Sequence, residues 1–355
     1  MKKISILELV TGLGMGGAEK VVYDLSRTLN KNDYDLYVIG LSKRDELLES
    51  FVKSGIKTEI LYKDNSLKDF FSMLFFFNRF IKTHKVDIIH AHMVHSLIVS
   101  SILKIFHPKL KIIFTSHNVV IGSKYMELLI YLLKPLRNMD IVFSKEIIKY
   151  FYKSNYKLIP NGIDLKKFYP HGEKESEFTF ISVGRLEDVK NHKFIIEIAK
   201  QLVGEYNFQI QIVGNGYLFN DLNNLIQKYN LKNVVKLLGT RDDIPELLSK
   251  AHCLIMPSLW EGLPIAILEA GASQIPIVAT NVGSIPSLLN TQNSYVCDIK
   301  DFQANMIQVL ENYEMAKNKS QILYEKISQF YSLESVVKQH DEIYKSFVND
   351  LERFR

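Results

Sequence analysis

Apolar residues along this chain follow two rhythms that take turns. Short, largely apolar runs at 4–10, 36–41, 86–89, 112–115 and 141–143, and again at 178–183, 208–213, 234–237, 253–257 and 276–279, read as strands buried on both faces. Between them, 18–29, 70–83, 193–202, 218–229, 244–250 and 266–272 place apolar residues every three or four positions, as a helix does when one face meets a core. Such alternation predicts parallel sheets covered by helices. Beyond Ser294 the pattern turns helical and ends in an amphipathic segment over 333–354. Turn formers cluster at Pro160, Asn161 and Gly162 and again at Pro170 and Gly172, which separates two strand–helix series. The expected domains are 1–165, 166–332 and a terminal helix over 333–355 that packs back toward the first.

With 355 residues the chain exceeds the size at which one core stops growing, which supports two domains. Its 47% hydrophobic and 23% charged residues predict order rather than disorder. No apolar run is long enough to cross a bilayer; the nearest, 70–81, is broken by Ser72, Asn78 and Arg79. Lys2 and Lys3 before 4–10 resemble the start of a signal peptide. Glu8 interrupts that run and a Gly-rich turn follows it, so a cytoplasmic protein is expected. Cys253 and Cys297 have neither disulfide nor zinc spacing. The net charge of +5 hides an asymmetry: 1–170 holds 26 Lys/Arg against 16 Asp/Glu, and 171–355 holds 18 against 23. A basic first half suits a membrane surface, a phosphorylated lipid carrier or nucleic acid, or is simply a solvated face.

The first strand runs into Gly12-Leu13-Gly14-Met15-Gly16-Gly17-Ala18-Glu19, ahead of a helix. Glycines let backbone N–H groups approach a ligand, and a helix N-terminus adds partial positive charge, so a phosphate suits this turn. The dinucleotide fingerprint is absent, because no acidic residue closes the second strand, and so is the Gly-x4-Gly-Lys-[Ser/Thr] loop. In the second half a strand ends at Gly184, with Arg185 and Lys190 five residues apart. That pair suits a diphosphate, or is a solvated loop. His90, His92, His95 and His117 cluster in the first half, and no nearby carboxylate or cysteine is expected to complete a metal set. Polar strand ends are the plainer reading, and no metal is expected.

The segment Pro257-Ser258-Leu259-Trp260-Glu261-Gly262-Leu263-Pro264, continuing through Glu269 to Thr280 and Gly283, closely resembles family 4 of the glycosyltransferases. Its members are retaining enzymes of the α/β class, with a GT-B fold of two Rossmann-like domains facing each other across a cleft. The likeness covers nearly the whole length, including Gly16-Gly17 and Pro160-Asn161-Gly162-Ile163-Asp164. It implies that Glu261 holds the donor sugar and Glu269 the nucleotide ribose, while Arg185 and Lys190 neutralise the departing diphosphate. The backbone of Gly262, Leu263 and Pro264 would lie beside that diphosphate. Gly16 and Gly17 would shape the phosphate and acceptor side, Gly214, Thr240 and Arg241 would surround the nucleotide, and His117 would position the sugar and reacting hydroxyl. The chain departs from the family at Gly283-Ser284, usually Gly-Gly, and at Ser287, commonly Glu.

The expected function is therefore retaining hexosyl transfer from a nucleotide-diphosphate sugar, a UDP-sugar by family habit, with no separate cofactor. The acceptor would be a hydroxyl of a glycan or lipid-linked molecule in surface polysaccharide, capsule, lipopolysaccharide or glycolipid synthesis. Apolar–basic stretches at 67–85 and 125–137 add a possible peripheral contact with an anionic membrane. Nucleic acid would account for the basic half but not for Glu261 and Glu269. A non-catalytic nucleotide- or glycan-binding homologue should have lost Arg185, Lys190, Glu261 and Glu269. A GT-B nucleotide-sugar epimerase is the rival among enzymes.

Overall fold

The computed structural model describes residues 3–14, 16–61, 67–117, 123–143, 145, 148–262 and 264–353. They form two compact units, one of 1–162 with 333–355 and the other of 163–332.

The first unit runs β1 (Ile4–Val10), α1 (Gly17–Thr28), β2 (Tyr34–Gly40), α2 (Leu48–Lys53), β3 (Lys57–Ile60), α3 (Leu67–His84), β4 (Ile88–His92), α4 (Met93–Phe106), β5 (Lys111–Thr115), α5 (Lys124–Leu132), β6 (Met139–Val142) and β7 (Lys157–Leu158). Its strands pair in parallel in the order β3-β2-β1-β4-β5-β6-β7. Side chains along a strand alternate between faces. Leu7 and Leu9 accordingly meet Phe77, Leu97 and Leu103 on one side, whereas Ile4 and Ile6 meet Val336, Ile343 and Tyr344 on the other.

The second unit runs β8 (Thr179–Val183), α6 (His192–Leu202), β9 (Gln209–Val213), α7 (Phe219–Lys228), β10 (Val235–Gly239), α8 (Ile244–Lys250), β11 (Cys253–Met256), α9 (Ile265–Ala272), β12 (Ile277–Thr280), α10 (Ile285–Leu288), β13 (Tyr295–Cys297), α11 (Phe302–Glu311) and α12 (Tyr313–Phe330). The order is β10-β9-β8-β11-β12-β13, again all parallel. Phe180, Ile210 and Ile212 pack against Ile195 and Phe302 on one face, and Ile181, Leu254 and Met256 against Ile267 and Ile285 on the other. The last helix, α13 (Leu333–Arg353), belongs to the first unit and lies against α1 and β1. There Tyr34 donates to Asp341 at 2.7 Å and Lys345 pairs with Asp33 at 3.1 Å.

The sequence pattern misses β3, β7 and β13. The two edge strands β3 and β7 carry lysines, with Glu59 besides in β3, and lack an apolar run, as edge strands often do. Strand β13 has three residues only, so the region after Ser294 begins as the outer strand of the second sheet and not as a helix.

Both sheets have Rossmann strand order. The direction of winding reverses between β1 and β4 and between β8 and β11, and at such a switch point the loops leaving the strand carboxyl ends part and open a crevice. Helix α9, which follows the crevice of the second sheet, is set close to α12 by Gly271, whose missing Cβ would press on Ile327 and Leu323. Gly271→Val should therefore destabilise this unit by about 1–3 kcal/mol through overpacking. A lower urea midpoint reads this directly, and an unchanged midpoint would mean that α12 can step back.

Candidate active site

In the second unit the loops after β8 and β11 are stitched together at the switch point. Leu259 N–H donates to the Val189 carbonyl at 2.8 Å, and Asn191, in the left-handed conformation at φ 55°, donates through Nδ2 to the Pro257 carbonyl at 3.2 Å. The Lys190 side chain passes over Gly184 and its Nζ lies 2.5 Å from Glu261 Oε1, which also accepts from Ser258 Oγ at 2.7 Å. The two charged side chains are 18% and 8% exposed, so the ammonium and the hydroxyl replace water that the carboxylate has lost. The loop after β12 closes the other side. Thr280 Oγ1 donates to the Ser258 carbonyl at 2.6 Å, and Ser284 N–H donates to the Glu261 carbonyl at 3.1 Å. Gly283 has φ 55° and its missing Cβ would strike that carbonyl, so a side chain here would push the loop off Glu261.

Glu269 lies in the second turn of α9 and is buried. Pro264 caps that helix and is buried, Gly262 is half-buried, and Leu263 lies outside the described residues. Arg185 and Lys190 do not act as one bare clamp here: Lys190 turns to Glu261, while Arg185, 74% exposed, pairs with Glu187 at 2.8 Å. Gly214 ends β9 at φ 138°, while Thr240 and Arg241 are exposed after β10, the latter paired with Asp243. Gly16 and Gly17 are exposed at the start of α1. His192, beside Lys190, is buried, and burial followed by the lysine charge pushes its pKa down to about 4.

The first unit holds a second polar cluster, and here the sequence reading needs correction, because a carboxylate does stand among the histidines. Glu8, the one charge in β1, pairs in register with His90 across the switch point. Its Oε2 lies 2.6 Å from His92 Nε2 and its Oε1 accepts from Tyr344 OH at 3.1 Å. His92 Nδ1 lies 2.9 Å from His117 Nε2, and His90 bonds Tyr344 OH and Thr115 Oγ1, each at 2.8 Å. Glu8, His90 and His92 offer atoms close enough together for a metal ion, yet those atoms are already engaged in these hydrogen bonds. His95 is exposed and takes no part. Strand alternation makes the cluster: Glu8 shares a face with Ile4 and Ile6, His90 and His92 with Ile88, and Thr115 and His117 with Ile113, the face that α13 covers.

Burial raises the pKa of Glu8, but neighbouring His90 and hydrogen bonds from both histidines outweigh it and hold the carboxyl well below its ordinary value. Burial and then His90 press His92 down to about 4 against the pull of Glu8 and, from α1, Glu19. His117 and His340 are lowered chiefly by burial, and Tyr344 is raised well above its usual value by burial and then by Glu8.

Residues 15–167 match the family described as "Glycosyltransferase Family 4", and residues 165–326 match "Glycosyl transferases group 1". An Escherichia coli protein named UDP-Gal:alpha-D-GlcNAc-diphosphoundecaprenol alpha-1,3-galactosyltransferase is 29% identical over 82% of this chain and 83% of its own length. The capsular polysaccharide biosynthesis glycosyltransferase CapH of Staphylococcus aureus is 26% identical over 79% of this chain and 82% of its own. Anabaena HepE, solved in complex with UDP, superposes with a TM-score of 0.83 at 18% identity over 97% of this chain and 100% of that one. The likeness to HepE shows that the fold is GT-B.

Two expectations follow from the geometry. A double-mutant cycle over Lys190→Ala and Glu261→Gln, followed by thermal unfolding, should return a coupling of about 1–3 kcal/mol; additive costs would mean that the pair is not joined energetically. In the first unit, a histidine whose folded pKa lies below its unfolded value is protonated sooner in the unfolded chain, so acid favours unfolding. The contribution of His92 is complete above about 6.5 and lost as pH falls toward about 4. A gap of that size is worth about 3 kcal/mol, and Glu8 loses its own share at still lower pH. The melting temperature should thus drop between pH 7 and pH 4, and a His92→Gln variant should drop less steeply; equal slopes would contradict the assignment.

Proposed function

We infer that this chain, which belongs to family 4 of the glycosyltransferases, moves a hexosyl unit from a UDP-sugar to a hydroxyl of a glycan or lipid-linked acceptor, with retention at the anomeric carbon. The observation that carries this is the buried Glu261, held by Lys190 and Ser258 at the switch point of a Rossmann sheet, with Glu269 eight residues further on. The donor is taken as UDP-linked because HepE was solved with UDP and the E. coli relative is named for UDP-Gal. Surface polysaccharide or glycolipid synthesis fits the diphosphoundecaprenol and capsular names of the relatives.

Glu269 grips the ribose and Glu261 the sugar hydroxyls. Lys190 and Arg185 supply positive charge to the diphosphate as its bond to the sugar breaks, where such charge lowers the barrier most. The surface pair of Arg185 with Glu187 is weak enough to open for this. The acceptor oxygen bonds to the anomeric carbon on the face the diphosphate leaves, and the hydroxyl proton passes to the departing phosphate oxygen. The acceptor belongs to the first unit, through His117 and the turn at Gly16 and Gly17.

The reading of membrane contact rests on exposed apolar–basic surface, of which α5 is the part tested below. No helix among the described residues is long and apolar enough to cross a bilayer, but Tyr125 and Leu132 on α5 are 87% and 62% exposed, and Leu128, Tyr131, Tyr150, Lys124, Lys145 and Lys149 are exposed nearby in sequence. This apolar–basic mixture suits an anionic interface.

UDP should raise the melting temperature of the wild type by mass action, and Glu269→Ala and Arg185→Ala should lose that shift while remaining folded. No response to UDP, GDP or ADP at about 100 times a micromolar Kd would overturn the donor site. NMR of a new glycosidic bond should show the donor's anomeric configuration; an inverted product would overturn retention. Sedimentation with phosphatidylglycerol vesicles should carry down the wild type and much less of Tyr125→Asp/Leu132→Asp, whereas equal sedimentation would remove α5 from the contact.

A further inference from the structure

We propose that Glu8 and His92 are positioning residues that fix the tautomer of His117, presenting its Nδ1 to the acceptor hydroxyl as a hydrogen-bond acceptor. The inference rests on the reading of the first unit as the acceptor domain.

The argument begins with the hydrogen count. An ionised carboxylate only accepts hydrogen bonds, so the 2.6 Å contact requires His92 to donate from Nε2 to Glu8. Tyr344 occupies the other carboxylate oxygen, which leaves Glu8 no reason to turn. A neutral imidazole carries one proton, so His92 Nδ1 is left as a lone pair. The 2.9 Å contact to His117 Nε2 then needs a proton from His117. His117 in turn keeps a lone pair on Nδ1, which has no hydrogen-bond partner among the described residues. Unlike Glu8 and His92, which are fully buried, His117 is half-buried. The hydrogen-bond chain thus starts at a sealed carboxylate and ends at a half-buried residue.

Burial keeps His92 and His117 neutral at ordinary pH, as the count requires. His117 also packs against Phe143 at a ring separation of 5.2 Å, which restricts its rotation. In the bound acceptor the hydroxyl's one proton points to this lone pair, and it swings to the departing phosphate oxygen only as the bond to the sugar breaks. The opposite tautomer would present an N–H to the hydroxyl and turn it the wrong way for attack. This is how an orienting carboxylate acts on a functional histidine in other settings.

The first test uses the resting protein. Long-range 1H–15N correlation of histidine-labelled wild type, with His117 identified by the signal lost in His117→Gln, should show the Nε2–H tautomer at neutral pH. An Nδ1–H ring or an imidazolium at His117 would overturn the proposal. Glu8→Gln should shift His117 away from the pure Nε2–H form and lower kcat about tenfold or more, with donor KM and the UDP thermal shift unchanged. Wild-type kcat and tautomer in that variant would overturn it as well. If Glu8→Gln does not fold, His92→Phe breaks the same chain while leaving Glu8 its bonds to Tyr344 and His90, and the same loss in kcat is expected. A wild type that turns over no UDP-sugar would defeat the enzymatic reading alone, since the tautomer is measured without substrate.

Discussion

A carboxylate taken out of water costs several kcal/mol unless donors or counter-charge replace the lost hydration. This chain buries one at the switch point of each sheet, and much of its architecture follows from meeting that requirement. Glu261 draws the loops after β8 and β12 onto the loop after β11, because its side chain needs Lys190 and Ser258 and its carbonyl needs Ser284. Glu8 needs donors on a face where the rest of the strand is aliphatic, and they come from β4 and from the last helix. The return of α13 to the first unit therefore supplies a hydroxyl to a buried charge as well as covering apolar surface.

Parallel strands make this arrangement possible. All strands end on one side of a sheet, so residues distant in the chain arrive at the same edge, and the period of two decides which of them share a face. Glu8, His90, His92, Thr115 and His117 come from three neighbouring strands and the turn after the last. A slip of one residue in any of these strands would send its polar group into the opposite apolar layer of Phe77 and Leu97.

How far the sequence could be read depends on how local each feature is. The central strands announce themselves as largely apolar runs, because both their faces are buried. The edge strands β3 and β7 do not, since solvent permits lysine in them, and three residues at β13 are too few to carry a period. The segment from Ser258 to Glu269 was legible for the same reason that it works: one loop and one helix hold both carboxylates. The Glu8–His92–His117 chain spans more than a hundred residues, and no local motif contains it. A signal existed nonetheless in the lone charge of a largely apolar strand and in polar residues at the alternate positions 90 and 92, and 115 and 117. That Lys190 turns to Glu261 and Arg185 to Glu187 is beyond the sequence, because loop closure decides it.

The two clusters differ in kind, and the difference matches the two halves of a transfer reaction. In the second unit the polar groups come from loops and include full charges, with Lys190 on Glu261 and an exposed Arg185 on Glu187. A leaving diphosphate gains negative charge, and cations that can adjust to it stabilise the transition state. In the first unit the groups sit largely on strands, the charge is sealed beneath two histidines, and the half-buried end of the network is a neutral histidine. A cation there would bind an attacking oxygen and weaken it as a nucleophile, whereas a lone pair leaves it intact and orients it. On the proposed reading, keeping His92 and His117 neutral lets the buried carboxylate orient a hydroxyl without placing net charge beside it.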